Sequence, residues 1–358
     1  MPDLWTEKYK FQHRLIGVIN GIDEEIKEIL SGALEKVTGK IANLALKAEE
    51  TESLLRKKRY LEKQRSEIKK VLDQIYQDIG KEIEGKTVEL GQATPKIMAD
   101  MVKDTIGIEL STPSLSKNRV KAWFESSQIE GLSPQRWLTK LSDNAVNRIV
   151  AETRESLILH ESYGQTAKRI QQALDIGRRS AEGISHNALH GAWQFAEREM
   201  YLENPEMVQE MRFVAQIDRK TTELCISLDG QIFPIKEAPL PPLHFKCRSM
   251  LSPLFEKGIK FEGKRIARLD ESPRTIKHRD GTTSTAYTKR RVQFIPEKMT
   301  HSDWVQSLAE SANPKDVSFA REMLGPTRFS LVKAGKFEVK NLYYAGKLRT
   351  IKELKGLM

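Results

Sequence analysis

The sequence predicts an α+β protein, predominantly helical, in which a long N-terminal helical arm precedes a helix-wrapped small β-core carrying a basic β-hairpin. Three observations predict it. No proline occurs between Pro2 and Pro95, and apolar residues in this stretch recur at helical spacing. Ser133-Pro134 then has the form of a helix start, serine as N-cap and proline at the first helical position, within a second helical stretch that runs to about Glu203. After it, short β-prone runs alternate with turn residues, between 213 and 254 and again on both sides of Asp280-Gly281.

In the arm, Ile22, Ile26, Ile29, Ala33, Val37, Ile41 and Leu44 follow one another in steps of three and four, which keeps them on one helical face. Further on, Leu54, Leu61, Ile68 and Ile75 fall seven apart, a coiled-coil seam. Its companion seam holds Lys58 and Arg65 before it becomes Leu72 and Ile79. One helix from Ile22 to Ile83 would be roughly 90 Å long at ~1.5 Å per residue, and Gly32, Gly39 and Gly80 offer places to break it into an antiparallel pair. Glu52, Glu62 and Glu67 interrupt the bases, so the arm reads as structural, with helical self-association as its contact. Turn-rich stretches at Gly91 to Pro95 and at Ser111 to Ser114 set its end. The expected division is 1–110, the helical arm; 111–265, a core; 266–298, a basic hairpin insertion; and 299–358, a C-terminal helical extension.

The chain has 358 residues, 39% hydrophobic and 30% charged, with a formal net charge of +10. That balance suits an anionic partner such as nucleic acid, or ordinary solubility. No run has the length of a signal peptide or the ~18 to 20 apolar residues of a membrane span, so the expectation is a protein made in the cytoplasm with no membrane partner. Two cysteines, Cys225 and Cys247, exclude a disulfide scaffold.

Within the second helical stretch, Trp123, Trp137 and Trp193 read as core aromatics. QTAKRIQQALDIGRRSAEGISHNAL has two amphipathic segments flanking Asp175-Ile176-Gly177, the shape of a helix-turn-helix. Its second helix would offer Arg178, Arg179, Ser185 and Asn187 to base edges; the alternative is any helical hairpin of a bundle.

Residues 213–254 read as a small β-unit. Phe213, Val214 and Ile217 fit one strand, Asp229-Gly230 a turn, and Gln231 to Phe233 a second strand. Pro239, Pro241 and Pro242 stiffen the chain that delivers His244 and Cys247. Together with Cys225 these are three residues of metal-ligand type.

The segment resembles the phage Mu F-like head-morphogenesis family, whose pattern is an aspartate, Arg-Thr, a cysteine pair, Asp-Gly, then Pro-Pro-x-His-x-x-Cys-Arg-Cys. The matches here are Asp218, Arg219, Thr221, Cys225, Asp229, Gly230, Pro241, Pro242, His244, Cys247 and Arg248. Thr222 and Ser249 stand where cysteines often lie, so a metal-free core is expected, with zinc at Cys225, His244 and Cys247, and Asp218 or Asp229 as fourth ligand, as the alternative. Gly164, Thr166, Ile170 and the helix from His186 to Glu199 extend the resemblance upstream. Trp304, Leu324 to Arg328, Gly335-Lys336 and Thr350 to Leu354 extend it downstream, from about Leu157 to the end of the chain. The resemblance implies a minor capsid protein inside the phage head. Its implied partners are the portal protein and other head or scaffolding proteins, in assembly and in DNA packaging or delivery.

Between 256 and 298, twelve bases against six acids leave +6 of the chain's +10. Arg274, Lys277, Arg279, Lys289, Arg290 and Arg291 flank the Asp280-Gly281 turn and are the candidate contacts to double-stranded DNA, without sequence preference. No G-x-S-x-G, Walker, H-E-x-x-H or dinucleotide motif occurs, and the expectation is a non-enzyme. The alternatives are a metal-dependent nuclease or toxin-like enzyme built on Cys225, His244 and Cys247, and a helix-turn-helix DNA-binding protein.

Overall fold

Two long helices, α1 (Leu4–Glu49) and α2 (Leu54–Ile106), open the computed structural model, which describes residues 4–49, 54–159, 161–255, 263–270, 273–277, 283–287 and 290–358. They pair antiparallel, with Glu25 of α1 beside Lys86 of α2. Of the predicted faces, Ile22, Ile26 and Val37 on α1 and Ile68, Leu72, Ile75 and Ile79 on α2 are buried, joined by Leu30 and Ile83, while Ile29 is half-buried; the side chains of Ala33, Ile41, Leu44, Leu54 and Leu61 lie outside what the structure describes. Gly32, Gly39 and Gly80, the expected break points, all lie inside the helices.

The expected turn at Gly91 to Pro95 is not formed, because α2 runs through Pro95. An interior proline costs a helix ~3 kcal/mol. Here Met98, Ala99 and Val102, all buried, follow on the same helix and offset that cost.

Next come α3 (Lys117–Ser126), α4 (Pro134–Ile158) and α5 (Tyr163–Leu202). Pro134 is the first residue of α4, as predicted. Ser162 and Gln165 close a capping box at the start of α5. The helix-turn-helix reading fails here. Asp175, Ile176 and Gly177 are interior to a 40-residue helix, and Ser185 and Asn187 are buried within the protein. The glycine answers a packing need instead of a turn: a side chain at 177 would overlap the Tyr76 hydroxyl of α2. Trp193 is fully buried, and Trp123 and Trp137 pack against the same core.

A three-stranded antiparallel sheet lies against α5. Its strands are β1 (Val208–Val214), β2 (Ile232–Pro234) and β3 (Met250–Phe255), in the order β2-β1-β3, and the short helix α6 (Glu223–Leu228) sits between β1 and β2. Then β4 (Lys264–Asp270), β5 (Pro273–Lys277), β6 (Thr283–Tyr287) and β7 (Arg290–Pro296) pair as β4 with β7 and β5 with β6. Lys264 faces Pro296 and Lys277 faces Thr283, so both pairs are symmetric about position 280 and follow one hairpin register.

The chain ends in α7 (His301–Glu310), α8 (Pro314–Leu324), α9 (Pro326–Lys333), a 3-10 turn at Val339–Leu342, the strand pair β8 (Tyr343–Tyr344) and β9 (Lys347–Leu348), and α10 (Ile351–Gly356). Trp304, Leu308, Phe319, Leu342 and Leu354 form a second core with Ala267, Leu269 and Ile295 of the hairpin base.

Gly177→Ala gives a direct reading of the α2–α5 contact. Alanine favours a helix interior by about 0.5–1 kcal/mol, but overlap with Tyr76 costs more, typically 1–3 kcal/mol, so the single variant is expected to lose stability. Removing the hydroxyl leaves Tyr76 Cζ, 3.6 Å from the new methyl, as the nearest atom. In a Tyr76→Phe background the same change is therefore expected to stabilise. Urea titration of the four proteins checks this reversal of sign.

Candidate metal centre

One stripe of α5 holds the whole segment that follows the prolines. Gly191 leaves room for Pro242 and the Trp123 ring, both within 3.0 Å of where a Cβ would stand. Asn187 donates from Nδ2 to His244 O (2.9 Å) and accepts Lys246 N at Oδ1 (2.7 Å). His190 donates from Nε2 to Ser249 O (2.6 Å), and Gln194 accepts Leu251 N (2.7 Å). Residues 187, 190, 191 and 194 share a face at helical spacing. The arm completes the grip: Gln12 donates to Arg248 O (3.0 Å) and the buried Lys8 to Leu251 O (2.9 Å), while Lys8 also pairs with Glu197.

Inside this grip the chain turns from His244 to Cys247, whose N–H donates to His244 O (3.2 Å). Lys246 takes a left-handed φ of 55°, an uncommon conformation for a side-chain-bearing residue, and the Asn187 hydrogen bond holds it there. Cys225 arrives from the other side on α6, a helix absent from the sequence-based expectation. Cys225 Sγ lies 3.2 Å from His244 Nε2 and 3.9 Å from Cys247 Sγ, and the three ligand atoms all lie within 4.8 Å of one another.

These residues fit a zinc ion. Sulfur at ~2.3 Å and nitrogen at ~2.0 Å around a tetrahedral zinc stand roughly 3.5–3.8 Å apart, close to what is found. His244 Nδ1 donates to Phe245 O (2.9 Å), which leaves the Nε2 lone pair facing the sulfurs; a second hydrogen bond of this kind is the rule for zinc-bound histidine. Among the described residues no fourth histidine, cysteine or carboxylate joins the group. Asp218 and Asp229, the expected fourth ligands, are engaged elsewhere. Asp218 pairs with both Arg248 Nη atoms and accepts Lys220 N and the Thr221 hydroxyl. Asp229 pairs with Arg265 and accepts Ala215 N and His301 N. Beside Cys225 Sγ lie the hydroxyls of Ser249 and Thr222, and buried Thr222 Oγ1 caps no helix N–H. The zinc alternative at Cys225, His244 and Cys247 is therefore the one the geometry supports. The expectation of a non-enzyme is corrected by the same cluster, a Cys/His/Cys group able to coordinate a metal ion and so consistent with catalytic or metal-binding activity. That expectation searched for local motifs, whereas this site is assembled from two separate segments.

The electrostatics favour one thiolate, at Cys247. The hydrogen bond to Cys247, together with burial, pushes the Cys225 thiol up. The same hydrogen bond, with His244 and His190 nearby, holds Cys247 well below the usual thiol range. The hydrogen bond with Cys247 raises His244 against burial. Burial pushes the Asp218 carboxyl up, and Arg248 outweighs it with the Lys220 and Thr221 donors. Burial lowers His190 and His301 and, with His190 as neighbour, brings His186 to about 4.

Of the candidate DNA contacts, Arg274 and Lys277 stand on β5 and Arg290 and Arg291 on β7; Arg279 and Lys289 lie outside the described residues. The family-motif residues do converge. Gly230 has a φ of 84° and donates to Phe213 O (2.8 Å) at the turn before β2, and Pro241 and Pro242 lie against α3 and α5.

Comparison with known proteins follows the same centre. Residues 147–252 match the Phage Mu protein F like family. No curated protein and no solved structure matches the chain. The Mu F-like segment is just under a third of the 358 residues. It begins within α4 and ends in β3, so it holds the α5 stripe, Cys225, His244 and Cys247. It starts ten residues before the expected Leu157, and the expected C-terminal matches from Trp304 to Leu354 lie outside it. Among the described residues no helix is long and apolar enough to cross a membrane.

A histidine held neutral by burial makes stability depend on pH. His186 titrates near 6.5 when unfolded and about 4 when folded, so the unfolded chain binds more protons between these values. Its contribution is fully present above about pH 6.5 and is lost as pH falls toward 4. Unfolding free energies of wild type and His186→Asn, measured in zinc-free buffer from pH 4 to 7, are expected to converge toward the acid end.

Proposed function

We propose that this protein is a phage head-morphogenesis protein whose core carries a zinc-dependent hydrolytic centre, made by Cys225, His244 and Cys247, acting on the phosphodiester backbone of DNA. The observation that carries the reading is the approach of those three ligand atoms to within 4.8 Å with no fourth protein ligand among the described residues. Closed structural zinc sites use four protein ligands, whereas three leave a position for water or substrate. A zinc ion held by Cys225, His244 and Cys247 would supply Lewis-acid chemistry toward a phosphoryl oxygen or water.

The chain's own residues have defined parts in this reading. Asn187 fixes the His244–Cys247 turn, and Phe245 O sets the imidazole tautomer. The Ser249 and Thr222 hydroxyls border Cys225 Sγ. Arg248, held by Asp218, puts a positive charge beside Cys225 and Cys247. The hairpin bases Arg274, Lys277, Arg279, Lys289, Arg290 and Arg291 would lie along phosphates without reading sequence. The family match supports a place in the phage head, and with it the portal and scaffolding proteins as partners.

Protein purified without added metal is expected to contain one zinc per chain, and to nick plasmid DNA in a chelator-sensitive way. Cys247→Ser and His244→Ala are expected to lose both properties while keeping helical circular dichroism. Tightly held zinc without any cleavage would make the centre a structural staple and end the hydrolytic reading.

For the hairpin, changing Lys289, Arg290 and Arg291 to alanine is expected to weaken duplex binding. The slope of log K against log salt should flatten by about 0.9 for each phosphate no longer neutralised. Unaltered affinity and slope would remove this surface from consideration.

A further inference from the structure

Cys225 and Cys247 are the chain's only cysteines, and the fold brings their sulfurs to 3.9 Å across 22 residues of sequence. We propose that they form a redox-active dithiol, oxidised by a peroxide to an intramolecular disulfide that can no longer hold zinc. The second half of this proposal, zinc release, rests on the zinc reading above. The first half stands on the sulfur geometry alone.

A disulfide bond is ~2.05 Å long, so the sulfurs need to approach by roughly 2 Å. Neither sulfur hangs from a strand of the sheet: Cys225 stands on the six-residue α6, and Cys247 follows a turn. With no third cysteine in the chain, the only intramolecular partner of either sulfur is the other. Both sulfurs are buried, while His244 between them is only half-buried. A peroxide, not much larger than water, is therefore a better-fitting oxidant than a bulky disulfide.

The chemistry balances in two displacements. The first thiolate sulfur attacks one peroxide oxygen, the O–O bond breaks, hydroxide leaves, and a sulfenic acid remains. The second thiolate attacks that sulfur, the S–S bond forms, the S–O bond breaks, and a second hydroxide leaves. The two sulfurs together give up two electrons and the peroxide takes them; with the two thiol protons the hydroxides become water. Thiolates, not disulfide sulfurs, are the metal ligands, so oxidation leaves His244 alone at the centre.

The test uses the full chain with its metal removed by chelator, then treated with hydrogen peroxide. The expected result is a mass loss of about 2 Da, a non-reducing peptide map that joins the Cys225 and Cys247 peptides, and reversal by dithiothreitol. In zinc-loaded protein, metal release read by a chromogenic chelator is expected to track the mass change. Cys225→Ser is expected to show no loss of 2 Da and to accumulate oxygen at Cys247. Sulfinic or sulfonic acid in the wild type, or an intermolecular dimer, without the internal link would overturn the proposal. A chain that forms the link but holds no zinc beforehand would support the dithiol and sink the zinc reading.

Discussion

A single buried carboxylate, Asp229, joins the parts of this fold. Its backbone N–H closes the C-terminal end of α6 by donating to Ile226 O, while the carboxylate accepts Ala215 N just beyond β1, pairs with Arg265 of β4, and accepts the first N–H of α7 at His301. A carboxylate taken out of water is costly unless its oxygens are satisfied, and removing one partner of such a pair typically costs about 3–5 kcal/mol. These donors come from three directions, so the position of α6, and of Cys225 on it, depends on the hairpin base and the C-terminal helices. Arg265 and His301 both lie beyond residue 252, where the family match ends. The centre inside the matched segment thus leans on residues outside it.

Around that anchor the site is built by hydrogen bonds to backbone. From His244 to Leu251 the chain gives its carbonyls to Asn187, His190, Gln12 and Lys8, and its N–H groups to Asn187 and Gln194. A turn fixed in this way holds two of three ligand atoms before any ion arrives. Less ordering remains to oppose binding, which is the physical content of a preformed site.

Much of this architecture was legible in the sequence. Helical spacing marked buried residues on both helices of the arm, and strands flank Asp229-Gly230, but the strand read through Ile217 stops at Val214, leaving Ile217 to bridge Ala267 of β4. Asp280-Gly281 lie outside the described residues, between strands that pair as a hairpin there would require. Three failures share one cause, reading a local signal without its tertiary partner. Pro95 and Gly177 look like breaks, yet Met98 and Val102 on one side and Tyr76 on the other make continuous helix the better packing. Ser185 and Asn187 looked like readers of base edges and are interior. The cysteines and histidine announced a metal by type, but only the fold brings α6 to the turn. A retrospective signal did exist: Asn187, His190 and Gln194 put polar groups on one face of a helix that is otherwise apolar there, and buried polar groups need partners.

The ion pair of Lys8 with Glu197 carries a mechanical consequence. Burial raises the Glu197 carboxyl, and Lys8 and the Tyr201 hydroxyl answer it inside the core. A lysine in such a place fixes the register of its helix, since sliding α1 by one turn of ~5.4 Å would strand an ammonium among apolar side chains. From Lys8 to the far end at Glu49 the helix extends about 60 Å. It is therefore a keyed lever: a load applied near Glu49 cannot be relieved by slippage, and its short end bears on the carbonyls of Arg248 and Leu251, one residue and four residues beyond a candidate zinc ligand.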